Sequence, residues 1–238
     1  MQKKWIIPDL HGCIKTLKHL VKEKISLQKN DVLYFLGDFI DRGPDSKGVL
    51  DYVMTLEAQG FNVRPLKGNH EEYLLLALDE EKNRKRKFLF FKEKNKLYDE
   101  WLEHGGRLTL KSFGVKNFNN IPEKYVDWIR KLPVFYLEEK YVIVHAGLNF
   151  SLKDPFEDQH AMLWARSFEA APEKIGNRKI IHGHVPVSLD FMKSCINDEN
   201  HKFLPLDNGC YLPSKSGMGN LVAFELNTSE LLVQPNIE

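Results

Sequence analysis

Apolar residues in this chain come in short runs, each closed by a polar cluster. Trp5-Ile6-Ile7 runs into Pro8-Asp9, Val32-Leu33-Tyr34-Phe35-Leu36 into Gly37-Asp38, and Val63-Arg64-Pro65-Leu66 into Lys67-Gly68-Asn69. Runs of this length, bounded by Gly, Asp or Asn, predict buried strands. Between them the spacing becomes helical. Ile14, Leu17, Leu20 and Val21 fall on one helical face, and Val49, Leu50, Val53, Met54 and Leu56 on another. Strand and helix thus alternate over residues 1 to about 70, which predicts a parallel sheet. Parallel strands with crossover helices end on the same side of the sheet, so Asp9, Asp38 and Asn69 should meet in one crevice.

From about 71 to 132 the pattern is mostly helical, opening with Tyr73, Leu74, Leu76, Ala77 and Leu78 and closing with Trp128, Ile129 and Leu132. Beyond Pro133 short strands return at Val134–Leu137, Tyr141–Val144, Lys179–Ile181, Phe203–Leu206, Leu221–Leu226 and Leu231–Val233, and are read as a second sheet. No solenoid-period repeat or low-complexity linker divides the chain. Residues 1–238 are therefore read as one domain, with the helical segment at about 71–132 inserted as a cap.

Composition narrows the function. A net charge of +1 and a pI near 7.7 give no overall pull toward nucleic acid or an anionic membrane, so neither is expected as a partner and anion binding must be local. One charge cluster stands out. Lys82, Arg84, Lys85, Arg86, Lys87, Lys92, Lys94 and Lys96 surround Phe88-Leu89-Phe90-Phe91, either as a solvated helix face or as a basic rim guiding phosphorylated substrates. Cys13, Cys195 and Cys210 form neither an even disulfide framework nor a CxxC pair, which suits a reducing compartment. The apolar start is too short for a signal peptide, and no apolar run approaches the ~20 residues of a membrane helix. A cytoplasmic location is expected.

The polar clusters carry the chemistry. Asp9-Leu10-His11-Gly12, Gly37-Asp38-Phe39-Ile40-Asp41-Arg42-Gly43, Gly68-Asn69-His70-Glu71, His145-Ala146-Gly147 and His182-Gly183-His184 follow in that order. This series resembles the phosphoprotein phosphatase branch of the calcineurin-like metallophosphoesterases. Pro8 stands where that family usually has Gly or Ser, at a position that is not a ligand. The resemblance implies an α/β fold of two packed mixed sheets flanked by helices, with two divalent metal ions at the sheet rim. Mixed oxygen and imidazole donors suit Mn, with Fe or Zn as alternatives, rather than Ca.

By motif, the resemblance assigns Asp9 and His11 to one ion, Asn69, His145 and His184 to the other, and Asp38 to the bridge between them. His70 is implied as the general acid, with Asp41 fixing its orientation. Arg42 and Arg166 are implied as phosphate-binding residues, the latter within Leu163-Trp164-Ala165-Arg166. His182 is read as a hydrogen-bonding group behind the ligands, and Asp207-Asn208-Gly209-Cys210 as a structural turn. His19, His104, His160 and His201 match no ligand position and are read as surface or capping residues.

A paired-metal site activates water and neutralises the charge that builds on a transferring phosphoryl group. The first reading is a metal-dependent phosphomonoesterase acting on phosphorylated protein or a small phosphoester, most simply a protein serine/threonine phosphatase. The alternative is a symmetrical dinucleoside tetraphosphate hydrolase. That family tends to have Ala for the Asp of DRG and GNHD for GNHE, whereas this chain has Asp41 and Glu71. From a different class, a non-catalytic scaffold for phosphorylated partners would usually have lost ligands, and none is missing.

Overall fold

The computed structural model describes residues 2–87, 94–213 and 217–238. The aromatic run at 88–91 and Lys92 lie outside the described residues. The amino-terminal region alternates as the sequence pattern predicts: β1 (Lys4–Ile7), α1 (Ile14–His19) continuing into a π turn, β2 (Val32–Phe35), α2 (Ser46–Ala58) and β3 (Asn62–Pro65). The three strands pair in parallel, Lys4 opposite Val32 and Val32 opposite Asn62. Asp45 starts α2 by accepting the Gly48 N–H at 2.9 Å, satisfying a donor that the first helical turn leaves free. Val49, Leu50, Val53 and Leu56 are buried, so the predicted apolar face of α2 is the one that packs.

The helical segment contains α3 (Asn69–Lys87), α4 (Lys96–Trp101), α5 (Arg107–Phe113) and α6 (Glu123–Arg130), with a π turn at Leu102–Gly106 between α4 and α5. Because α3 begins at Asn69, this helical segment grows directly out of the third polar motif. There follow β4 (Phe135–Leu137), β5 (Tyr141–Val144), α7 (Gln159–Trp164), β6 (Lys179–His182), α8 (Leu189–Asn197), β7 (Phe203–Pro205), β8 (Asn220–Glu225) and β9 (Leu231–Pro235).

The late strands do not all form the second sheet. That sheet is β4-β5-β6-β7, whereas β8 and β9 extend the first into β3-β2-β1-β8-β9. β8 runs antiparallel to β1, Ile6 facing Phe224. Its residues from Leu221 to Glu225 are all buried, so their apolar pattern identifies a strand without choosing its sheet.

The two sheets share an apolar layer in which Ile6, Tyr34 and Leu36 of the first strands and loop meet Ile143, Ile181 and Leu204 of the second. On the other face of the first sheet, Trp5, Ile7, Leu33 and Phe35 pack with α1, α2 and the inserted helices. Each such fully buried side chain contributes roughly 1.5–3 kcal/mol by leaving water. Layers of helix, sheet, sheet and helix result, with both sheets' strand ends opening on one rim. Among the described residues no helix is long and apolar enough to cross a membrane.

Candidate metal centre and its cleft

The five polar motifs follow β1, β2, β3, β5 and β6, and their loops hold one another. Leu10 and His11 donate their N–H groups to the Asp38 carbonyl at 3.1 and 2.7 Å, and Gly12 donates to Phe39 at 3.0 Å. The Glu71 carboxylate accepts the N–H groups of Asp38, Phe39, Ile40 and Gly68 at 2.8, 2.8, 3.2 and 3.0 Å. Glu71 is thus a fastener for the second motif, a role sequence reasoning missed. The loops bend sharply: His11, Asp38, Asp41, Arg42 and His184 have φ of 42°, 50°, 70°, 64° and 69°. Left-handed backbone at a residue with a Cβ costs of order 1–3 kcal/mol and persists where neighbours impose it.

All six residues expected as ligands converge. Asp38 Oδ2 lies 3.5 Å from His11 Nε2, while Oδ1 lies 3.6 Å from His145 Nε2. Its two oxygens therefore face two different imidazoles, the arrangement a bridging carboxylate needs. Asn69 Oδ1 is 2.9 Å from His145 Nε2 and 3.0 Å from His184 Nδ1. Both Asp9 oxygens accept the His184 N–H at 3.1 Å. Donor atoms of His11, Asp38 and His70, and of Asp38, His145 and His184, lie within 4.8 Å of one another in two groups sharing Asp38.

The donor chemistry fits cations. His145 Nδ1 must donate to the Leu36 carbonyl, 2.9 Å away, and burial lowers the basicity of this imidazole. Its neutral Nε2 then presents a lone pair toward Asn69 Oδ1, an acceptor, and a positive ion beside both removes the conflict. Burial lowers His11 and His184 likewise, the latter to about 3, which leaves ring nitrogens free to ligate. Burial and the neighbouring Asp207 and Asp38 charges push Asp9 well above the usual carboxylate range, so its ionised form calls for nearby positive charge.

His70 takes a different place. Its Nδ1 donates to Asp41 Oδ2 at 2.8 Å. Burial disfavours the imidazolium, but the charge of Asp38 and the bond and charge of Asp41 outweigh it and hold His70 above its ordinary value. Asp41 is in turn fixed from the inserted segment: Trp101 Nε1 donates to Oδ2 at 3.0 Å and Thr109 Oγ1 to Oδ1 at 2.6 Å. Neither residue carries a motif, and only the burial of a polar Thr109 within a helix face sets it apart.

Arg42 and Arg166 both line the cleft above these groups, with Tyr73, His104, Trp164 and Tyr211. Arg42 Nη1 donates to His11 Nε2 at 2.9 Å and to the Tyr211 hydroxyl at 3.1 Å. For His11 Nε2 to serve as a ligand, Arg42 must release it and turn toward the cleft. His104, read as a surface or capping residue, is exposed but belongs to the cleft wall. His182 does not join the ligands. Its ring packs 5.5 Å from Phe168 and 5.7 Å from Phe203. Asp207 accepts the Gly209 N–H at 2.7 Å, as a structural turn requires.

Parallel strand ends presenting paired carboxylates and imidazoles over a double sheet define a metal-centred phosphoesterase. The calcineurin-like phosphoesterase family matches residues 3–209, and the chain belongs to that family, whose members use a dinuclear metal site. A symmetrical bis(5'-nucleosyl)-tetraphosphatase from Buchnera aphidicola subsp. Baizongia pistaciae is 34% identical over 170 residues, 70% of this chain and 50% of that protein. One of the same description from Buchnera aphidicola subsp. Schizaphis graminum is 25% identical over 201 residues, 81% of this chain and 64% of the relative. The chain therefore spans about half to two thirds of these relatives' lengths. In fold it is similar to a protein serine/threonine phosphatase structure from Saccharomyces cerevisiae, with a TM-score of 0.65 at 16% identity, covering 100% of this chain and 81% of that one.

Proposed function

We infer that this chain is a dimetal hydrolase of phosphoanhydrides that splits dinucleoside tetraphosphates symmetrically into two nucleoside diphosphates. The observation that carries it is the 34% identity over 170 residues to a protein described by that activity. This reverses the order of the two readings drawn from Asp41 and Glu71, because identity across most of the chain outweighs two positions.

Asp9, His11 and Asp38 would hold one divalent ion, and Asp38, Asn69, His145 and His184 the second. Bound there, the ions activate water and offset charge on the phosphoryl oxygens. Arg42 and Arg166 bind and orient the polyphosphate through their planar forks. His70 donates a proton to the leaving oxygen, and Asp41, bonded to its Nδ1 at 2.8 Å, keeps that nitrogen turned away from the substrate.

The same pair favours a second reading. A nucleoside diphosphate leaves readily, whereas a serine alkoxide needs a proton, and a fixed His70–Asp41 bond of 2.8 Å suits the harder case. Protein serine/threonine phosphatase activity remains that second reading. Incubation of the manganese-supplemented enzyme with diadenosine tetraphosphate and with phosphoserine peptides separates them. ADP as the sole nucleotide product supports the first reading. AMP plus ATP, or an intact tetraphosphate beside rapid peptide dephosphorylation, overturns it.

A further inference from the structure

Metal ligation, proton donation and phosphate binding leave the rings along the cleft unused. Tyr73 comes from α3, His104 from the π turn of the insertion, and Trp164 from the end of α7. Their rings adjoin: Tyr73 and His104 have centroids 5.6 Å apart at 38°, and Tyr73 meets Trp164 at 5.7 Å and 75°. His160 backs Trp164 in a near-parallel stack at 6.1 Å and 18°. Trp164 is half-buried and His104 exposed, so the wall is presented to a ligand rather than consumed in the core. Two residues after Trp164, Arg166 lines the same cleft. Aromatic faces set at angles to one another and a guanidinium thus line the same cleft, the partners that the base and the phosphates of a nucleotide each require.

We propose that Tyr73, His104 and Trp164 form a nucleobase subsite, in which one base of a nucleotide stacks while its phosphates lie on Arg42 and Arg166. This rests on the tetraphosphatase reading and extends it by naming what grips the nucleoside. The cleft volume of about 180 Å³ takes a phosphate and one flat ring. The surroundings favour a base over an acidic phosphopeptide. Tyr73 donates its hydroxyl to Glu100, and the charges of Glu100 and Glu103 act on that same hydroxyl, so this rim repels acidic side chains. Base stacking on an aromatic ring is sequence-tolerant, because every base offers a π face.

Calorimetric titration of the manganese-loaded protein with ADP and with inorganic pyrophosphate tests the subsite without relying on turnover. The pair shares a diphosphate and differs by the nucleoside. ADP should bind more tightly than pyrophosphate, and Trp164→Ala should cost ADP roughly tenfold, the effect of one lost base–aromatic stack, with little change for pyrophosphate. Trp164→Phe should restore most of the preference, and the exposed His104→Ala should lower it without disturbing the fold. Equal affinities in the wild-type protein, or equal losses for both ligands in Trp164→Ala, overturn the subsite. Turnover of diadenosine tetraphosphate reports separately on function. If it is cleaved symmetrically with a KM unmoved by Trp164→Ala, the subsite falls alone. If it is left intact while ADP is preferred through Trp164, the tetraphosphatase reading falls alone.

Discussion

A methyl group added at Gly183 would place its carbon 2.2 Å from Asp9 Oδ1, inside any allowed contact. Gly183→Ala must therefore displace the carboxylate that the sequence assigns to the first ion. Elemental analysis of the purified variant should show the loss of at least one metal ion per chain, with the circular dichroism of the folded protein preserved. At His70 the expectation is the reverse. His70→Asn should keep its metal yet lose turnover by about 10²–10⁴-fold on alkyl phosphates such as phosphoserine peptides, and less on p-nitrophenyl phosphate, whose phenolate leaves with less help. Equal losses on the two substrates would remove the proton-donor role. Asp9, Asp38 and Asn69 were legible in the sequence because a carboxylate or amide directly after an apolar run marks a strand end. Glu71, Trp101 and Thr109 were not, since each acquires its role from a loop 31 to 68 residues away in the chain.

Among the elements, the helices between β3 and β4 reach into the site. α4 ends at Trp101 and α5 carries Thr109, and the two clasp opposite oxygens of Asp41. Trp101→Phe keeps the packing of a large ring and deletes one hydrogen bond to a charged group, worth roughly 1.5–3 kcal/mol. Turnover of alkyl phosphates should fall about 10- to 100-fold with metal content unchanged. If Trp101 acts through the Asp41–His70 pair, adding His70→Asn should cause little further loss, because residues working as one unit are not additive. Independent, multiplying losses would assign Trp101 a packing role only. α1, α2 and the helical character of the segment after Asn69 were legible from their apolar spacing, as were the nine strands of the described residues, whereas α7 and α8 were not. The sheet membership of β8 and β9 was not: burial on both faces erases the alternation that would reveal a strand's neighbours.

Across the whole molecule, the expected ligands divide between the sheets, with Asp9, His11, Asp38 and Asn69 following strands of the first and His145 and His184 those of the second. Divalent ions bound between them would tie the sheets together, and a ligand that binds only the folded state at 1,000 times its Kd adds about 4 kcal/mol. Chelation should lower Tm by roughly 10 °C, since a chain of this size shifts ~2–4 °C per kcal/mol. Asp38→Asn should show little further response to the chelator. An unchanged wild-type Tm would mean that the metal does not brace the fold.

The order of strands in the first sheet has a separate consequence for the nascent chain. β1 ends at Ile7, yet its antiparallel partner begins at Asn220. At ~5–20 residues per second on the ribosome, that edge waits roughly 10–40 s for its cover. Throughout that interval a strand reading Lys4-Trp5-Ile6-Ile7 is open to pairing with any other chain. Yield of the native protein should therefore depend on how quickly the carboxy-terminal hairpin emerges, and on what holds β1 until it does.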